Sequence, residues 1–193
     1  MPTSLPSRII HFGPFNVTGQ VFHSTPLTFA CVNLKPLLPG HILVCPLAVK
    51  PRLRDLSREE ISDLFLTTTK LQRTLQRVYG ADAFNVAVQD GSAAGQSVPH
   101  VHCHVIPRKV GDAGGDDRVH EWLEGEEGNV GRAQREAAEE EDRFGGVGLR
   151  RRVVGKWTKD EERKPRSMEE MVQEARWLRE EVEKDEREGD GRL

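Results

Sequence analysis

A chain of 193 residues is the length of one ordinary domain. Hydrophobic residues make up 36% and charged residues 31%, so part of the chain adds little to a core, and a net charge of −3 excludes a broad electrostatic pull toward nucleic acid or membrane. No stretch is long and apolar enough to span a bilayer, and Met1 to Ser7 lacks the basic and apolar regions of a secretory signal.

In chain order, Gln20–His23 and Leu27–Asn33 read as strands around the turn Ser24-Thr25-Pro26. Pro36 and Pro39-Gly40 break the chain before a third strand, His41–Cys45. A helix follows. Ser57 is its N-cap, Glu60 completes a capping box, Leu56 and Ile61 suit a hydrophobic staple, and Gly80 suits a left-handed C-terminal cap. Ile61, Leu64, Phe65, Leu71, Leu75 and Val78 recur at helical spacing, so one face packs on a sheet. Phe84–Gln89 and Val101–Ile106 are the remaining strands, joined by the small, polar run Asp90–Ser97, whose backbone N–H groups could approach a phosphate closely. Short links and a segregated helix point to an α+β fold with an antiparallel meander.

From 112 to 166 about half the residues are charged and Gly recurs, a composition that predicts a disordered insert. Its acidic run Glu139–Asp142 and basic run Arg150–Arg152 read as solvated chain. Order is expected again over 167–185. There Ser167 and Glu170 form a second capping box, and Met168, Met171, Ala175, Leu178 and Val182 make an apolar stripe. A frayed, disordered tail is expected over 186–193. The domain core is thus 1–111. Cys31, Cys45 and Cys103 lack C-x-x-C spacing and sit in apolar runs, as buried free thiols in a reducing compartment do.

The stretch Pro99-His100-Val101-His102-Cys103-His104-Val105-Ile106-Pro107 carries the chemistry. On a strand the three histidines share one side, roughly 6–7 Å apart, and Val101, Cys103 and Val105 face a core on the other. Three readings stand: a solvent-facing polar side, a metal site that would need further ligands, and an acid–base or nucleophilic histidine held by its neighbours.

With its flanks, Phe84–Gly91 and Gly95–Val98 before it and Pro107-Arg108 after it, this block resembles the histidine triad (HIT) superfamily. The stretch Val32-Asn33-Leu34-Lys35-Pro36-Leu37-Leu38-Pro39-Gly40-His41 is similar to that family's first conserved segment. Together they resemble the Fhit branch, the bis(5′-adenosyl)-triphosphatases, over roughly residues 8–111 and again at the C-terminal helix.

The resemblance implies a HIT-like sheet and a homodimer joining two sheets. It also implies cleavage of P1,P3-bis(5′-adenosyl) triphosphate to AMP and ADP through a nucleotidyl-histidine. His102, flanked on both sides, is the expected nucleophile. His104 is expected at the scissile phosphate or bridging oxygen, and His100 and His41 as supports that hold its tautomer. Asn33, Gln89, Gly95, Gln96, Ser97 and Val98, with His104, match nucleotide and phosphate contacts. Phe12, Phe15 and Leu27 are candidates to sandwich the adenine. A divalent cation, Mg²⁺ or Mn²⁺, is expected on the substrate phosphates, with no protein-bound metal. The family's loop aromatic is matched only by His120 and Trp122, in a longer loop without the aromatic hydroxyl. A nucleoside phosphoramidase using the same nucleophile, and a nucleotide-binding signalling module with slow turnover, are the alternatives. Neither nucleic acid nor membrane is an expected partner. The expected location is the cytoplasm, with the nucleus open to so small a protein.

Overall fold

The computed structural model describes residues 8–112, 118–125, 129–132, 134–135 and 165–189. Among them the strands in chain order are β1 (His11–Phe12), β2 (Phe15–Asn16), β3 (Val21–Ser24), β4 (Thr28–Val32), β5 (Ile42–Pro46), β6 (Ala83–Val88) and β7 (Cys103–Arg108). The helices are α1 (Arg58–Tyr79), α2 (Arg118–Glu124) and α3 (Met168–Glu188), and residues 130–132 and 134–135 are also helical.

The α+β architecture with an antiparallel sheet is as expected. β1 and β2 form a separate small hairpin, and the main sheet runs β3-β4-β5-β7-β6. The chain leaves β5 through α1, returns at the edge as β6, and then places β7 between β5 and β6. That insertion makes β7 an interior strand: Cys103 pairs with Val44 on one side and Val88 on the other, and His104 with Leu43 and Ala87.

The last ladder starts two residues after the expected Val101. The Val101 N–H donates to Lys50 O at 2.7 Å, and the His100 N–H closes onto Val98 O at 2.7 Å, so His100 sits in a bend, His102 in the link to the strand, and only His104 lies within the ladder. The alternation of faces survives. Val101, Cys103 and Val105 join the core under α1 and α3, while Ile106 joins a cluster on the opposite face. The cysteines are buried and unpaired, as their apolar settings predicted.

Helix α1 begins as its sequence predicts. Ser57 Oγ accepts from the Glu60 N–H at 3.2 Å, Glu60 returns the bond to the Ser57 N–H at 2.7 Å, and Gly80 at φ 62° takes the left-handed cap. Its buried face differs from the expected one. Leu64, Leu71 and Leu75 are buried, each contributing about 1.5–3 kcal/mol, but Ile61 and Phe65 are about two-fifths exposed. Thr67, Thr68 and Thr74 fill the stripe instead. Thr68 can do so because its hydroxyl donates to the Leu64 carbonyl one turn back, leaving its methyl free to pack.

Helix α3 uses the Ser167–Glu170 box and buries Met171, Ala175, Leu178 and Val182, whereas Met168 is exposed. It continues to Glu188, past the expected end at 185. Thr74 and Arg77 bond Asp185, and Lys70 pairs with Glu186, so α1 anchors the last turns. The insert expected to be disordered also holds structure. Val119, Trp122 and Leu123 lie at helical spacing and pack on Leu37, Leu38 and Ile106. The acidic and basic runs at 139–142 and 150–152 lie outside the described residues.

Candidate active site

Three imidazoles and a fourth from the residue before β5 meet on the sheet face opposite α1. His100, His102 and His104 are 0–1% exposed, and His41, just before β5, is also buried. Backbone groups assign each ring a tautomer, because a neutral imidazole carries one donor and one acceptor. The His100 carbonyl can only accept, so at 2.7 Å it takes a hydrogen bond from His102 Nδ1–H. His102 Nε2 is therefore an unprotonated lone pair. His100 Nδ1 accepts from the Gly13 N–H at 3.0 Å, so its Nε2–H donates to Pro46 O at 2.8 Å.

The second pair is oriented the other way. His41 Nδ1 accepts from the Leu37 N–H at 3.1 Å, which puts the His41 proton on Nε2. That Nε2–H donates to His104 Nδ1 at 3.0 Å. His104 consequently carries its own proton on Nε2. The Asn33 amide flanks the pair: its oxygen accepts from the Lys35 N–H at 3.0 Å, and its nitrogen stands 3.4 Å from His41 Nε2, a contact between two donors rather than a hydrogen bond.

Burial keeps the triad rings neutral. Desolvation pulls His102 down to about 4 and His104 well below the ordinary imidazole range, with the neighbouring rings adding to the effect on His104; His100 moves the same way. One neutral ring thus presents a base, and its neighbour, 5.0 Å away between ring centres, presents a proton.

His102 Nε2, His104 Nε2 and Gln89 Oε1 are buried with no hydrogen-bond partner. Buried polar groups are as a rule satisfied, and each orphan costs about 1–3 kcal/mol. Gln89 follows Val88, the ladder partner of Cys103, so it stands beside His102. These orphans mark where the polar atoms of a ligand belong.

The remaining expected residues divide. Val98 is buried against Phe12, Phe29 and Val130. Ser97 Oγ accepts from the Gly131 N–H at 3.0 Å. Gly95 is a structural requirement: at φ 85° an L side chain is strained, and a Cβ would lie 2.5 Å from Gln89 Nε2. The Gln96 amide donates to Pro51 O at 2.9 Å and, more weakly, to His100 O at 3.5 Å. Phe12 stacks on His100 and sets an edge against His102, and Phe15 packs in the same cluster. Leu27 is exposed at the turn into β4, where its carbonyl accepts from the Leu47 N–H at 2.7 Å.

The two candidates for the loop aromatic both lie on α2. Trp122 is buried in α2, and His120 is exposed on it. What α2 brings to the site is backbone: Leu123 O accepts from Gln89 Nε2 at 2.7 Å. Leu123 and Gly131 thus occupy groups expected to hold phosphates, and a substrate reaches His102 only if a covering segment shifts. Gly13, Leu123 and Gly131 carry no chemistry in their side chains, so no motif marks them. Among the described residues no group of three His, Cys, Asp or Glu side chains is arranged to hold a metal ion.

The HIT domain model matches residues 15–111. The chain is 45% identical over 175 residues to the asymmetrical bis(5′-nucleosyl)-tetraphosphatase of Schizosaccharomyces pombe, covering 88% of this chain and 92% of that protein. It is 47% identical over 117 residues to the bifunctional bis(5′-adenosyl)-triphosphatase/adenylylsulfatase FHIT of Arabidopsis thaliana, covering 60% of this chain and 65% of that one. The crystal structure of Plasmodium falciparum diadenosine triphosphate hydrolase in complex with cyclomarin A superposes with a TM-score of 0.66 at 27% identity, covering 95% of this chain and 90% of the other.

Proposed function

The chain belongs to the HIT domain family, and on that footing we propose that it is a dinucleoside polyphosphate hydrolase, cleaving P1,P3-bis(5′-adenosyl) triphosphate to AMP and ADP through a nucleotidyl intermediate on His102. The observation that carries this reading is the opposed pair of tautomers, a bare His102 Nε2 beside a protonated His104 Nε2, both buried and without partners. The names of the relatives, two of them bis(5′-nucleosyl) or bis(5′-adenosyl) polyphosphatases, support the substrate class.

In this mechanism the His102 Nε2 lone pair attacks the phosphorus of the AMP half. The N–P bond forms as the P–O bond to the bridging oxygen breaks, and the electron pair leaves on ADP. His104 Nε2–H lies next along the face to donate to that oxygen. The attacking ring becomes cationic, and the His100 carbonyl, which accepts from its Nδ1–H, stabilises that charge. A water then attacks the same phosphorus, giving a proton to the His104 Nε2 left bare by the first step; the N–P bond breaks, and AMP leaves with both rings restored. Gln89 and the backbone of the Gly95–Val98 turn are the donors for the non-bridging oxygens.

Imidazoles and amides suit phosphate oxygens rather than Mg²⁺, which prefers carboxylate and water oxygens. A divalent cation therefore belongs with the substrate phosphates in this proposal, where it would neutralise their charge. A homodimer is part of the same reading. β6 is an edge strand, and Val86 on it is exposed, which leaves a ladder free to pair with a second copy.

The test is incubation of the purified protein and a His102→Ala variant with diadenosine triphosphate and Mg²⁺, with products separated by chromatography. AMP plus ADP from the unaltered protein alone is the expected result. Equal cleavage by both proteins overturns the nucleophile, and cleavage by neither overturns the substrate class.

A further inference from the structure

We propose that Arg166 is a positioning residue that sets the His41–His104 pair from the foot of the C-terminal helix. Arg166 immediately precedes Ser167, the N-cap of α3. Its N–H donates to Leu34 O at 2.9 Å, its Nε to Asn33 O at 3.1 Å, and its Nη2 to the same carbonyl. The remaining arm, Nη1, pairs with Glu174, whose other oxygen accepts from the Tyr79 hydroxyl at 2.8 Å. One planar guanidinium thus ties α1 and α3 to the backbone just beyond β4.

That backbone carries the second imidazole pair. Asn33 sets its amide nitrogen 3.4 Å from His41 Nε2, and the connection that begins at Leu34 ends with the Leu37 N–H on His41 Nδ1. The bond to Nδ1 is what gives His41 its Nε2 proton, and the His41 Nε2–H is what gives His104 its Nε2 proton. Arg166 touches neither ring. Its guanidinium acts by holding the Asn33 carbonyl, and its backbone N–H holds Leu34 O, at the start of the connection that presents the Leu37 N–H to His41 Nδ1. Arginine suits the task because its fork serves one carbonyl and one carboxylate at once in a fixed geometry, and a lysine ammonium has no such plane. Asn33 and Arg166 are far apart in sequence, and no motif joins them.

The test uses the full chain with Arg166→Gln and Arg166→Lys variants. The first readout is the ¹⁵N spectrum of the histidine imidazoles, which reports which nitrogen carries the proton and does not depend on any activity. In the unaltered protein His104 is expected as the Nε2–H tautomer. In Arg166→Gln it is expected as a mixture of tautomers, with the His102 Nδ1–H signal unchanged. The second readout is kinetic and rests on the hydrolase reading: kcat falls about tenfold to a hundredfold with KM within about threefold, as a small misplacement of a reacting group produces. A folded Arg166→Gln protein with an unchanged His104 tautomer overturns the proposal, whatever its activity. If Arg166→Gln fails to fold, Arg166→Lys decides: it keeps the charge near Glu174 and offers no fork to Asn33, so a native His104 spectrum there also overturns it. A protein that cleaves no dinucleoside polyphosphate but shows the tautomer change refutes the hydrolase reading and leaves this one standing.

Discussion

His41 Nε2 stands 3.0 Å from His104 Nδ1, and because His41 Nδ1 is already an acceptor, the proton between them belongs to His41. The consequence reaches the far side of His104, whose Nε2 is left as a buried donor. A leaving oxygen needs such a donor only when it is a poor leaving group. His104→Asn is therefore expected to slow cleavage of diadenosine triphosphate about 10²–10⁴-fold. The loss should be much smaller for a p-nitrophenyl ester of AMP, whose leaving group needs no proton. Equal losses on the two substrates in steady-state assays would contradict the assignment of His104 as the donor.

The neutral rings set the acid side of the pH profile. His102 lies at about 4 because burial disfavours its charged form. The base is then available throughout the range below 6.5 in which a solvated histidine would be protonated. kcat/KM is expected to stay level down to about pH 5.5 and to decline toward the lowered value. An acid limb centred at 6.5 would mean that the reacting ring is solvated in the free protein.

Stability carries the same sign. His23 and His102 are both lowered from 6.5 to about 4, chiefly by burial. Between those values the unfolded chain binds protons that the fold excludes, so stability rises with pH there. It is full above 6.5 and is lost as pH falls through about 4. Urea midpoints at pH 7.5, 5.5 and 4.5 are expected to decrease in that order.

Gly95 can be tested alone. Alanine there meets both the positive φ and the Gln89 amide at 2.5 Å. Gly95→Ala is expected to cost about 1–3 kcal/mol in stability and to lower activity by displacing Gln89. Thermal unfolding and kcat read the two effects separately, and an unchanged kcat would remove Gln89 from the site.

The cover over the triad leaves its own signature. Trp122 packs on Leu37, Leu38 and Ile106, and the next residue holds Gln89 through its carbonyl. Trp122→Ala removes a buried indole, a loss of about 3–5 kcal/mol in a well-packed site, and here it falls on a segment that must shift for substrate to enter. A closed state that excludes ligand weakens apparent affinity by the fraction closed. A non-hydrolysable dinucleoside triphosphate is therefore expected to bind Trp122→Ala more tightly by titration calorimetry. Weaker binding would mean that α2 supplies contacts to the nucleotide.

Local chemistry made much of this molecule legible from residues alone. Ser57 and Glu60, Ser167 and Glu170, and Gly80 act within one turn of helix, so their capping follows from spacing. The alternation through Val101–Val105 assigned the histidines a common face, because a pleated backbone has a period of two whatever surrounds it. Composition did not reveal the helix Arg118–Glu124 within the charged segment, since three apolar residues, Val119, Trp122 and Leu123, suffice to dock a short helix among many charges. Periodicity misjudged Ile61 and Phe65, because burial depends on what faces a helix and threonine methyls can fill the stripe. The tautomers were beyond any pattern. They depend on Gly13, Leu37 and Pro46, whose backbone atoms reach the rings only once the hairpin, the loop before β5 and the end of β5 converge. Residue type decided that four imidazoles would be present; the folded backbone, through the His100 carbonyl for His102 and the Leu37 N–H for His41, decided which nitrogen is a base and which an acid, because a neutral imidazole takes its tautomer from whatever it is given to bind.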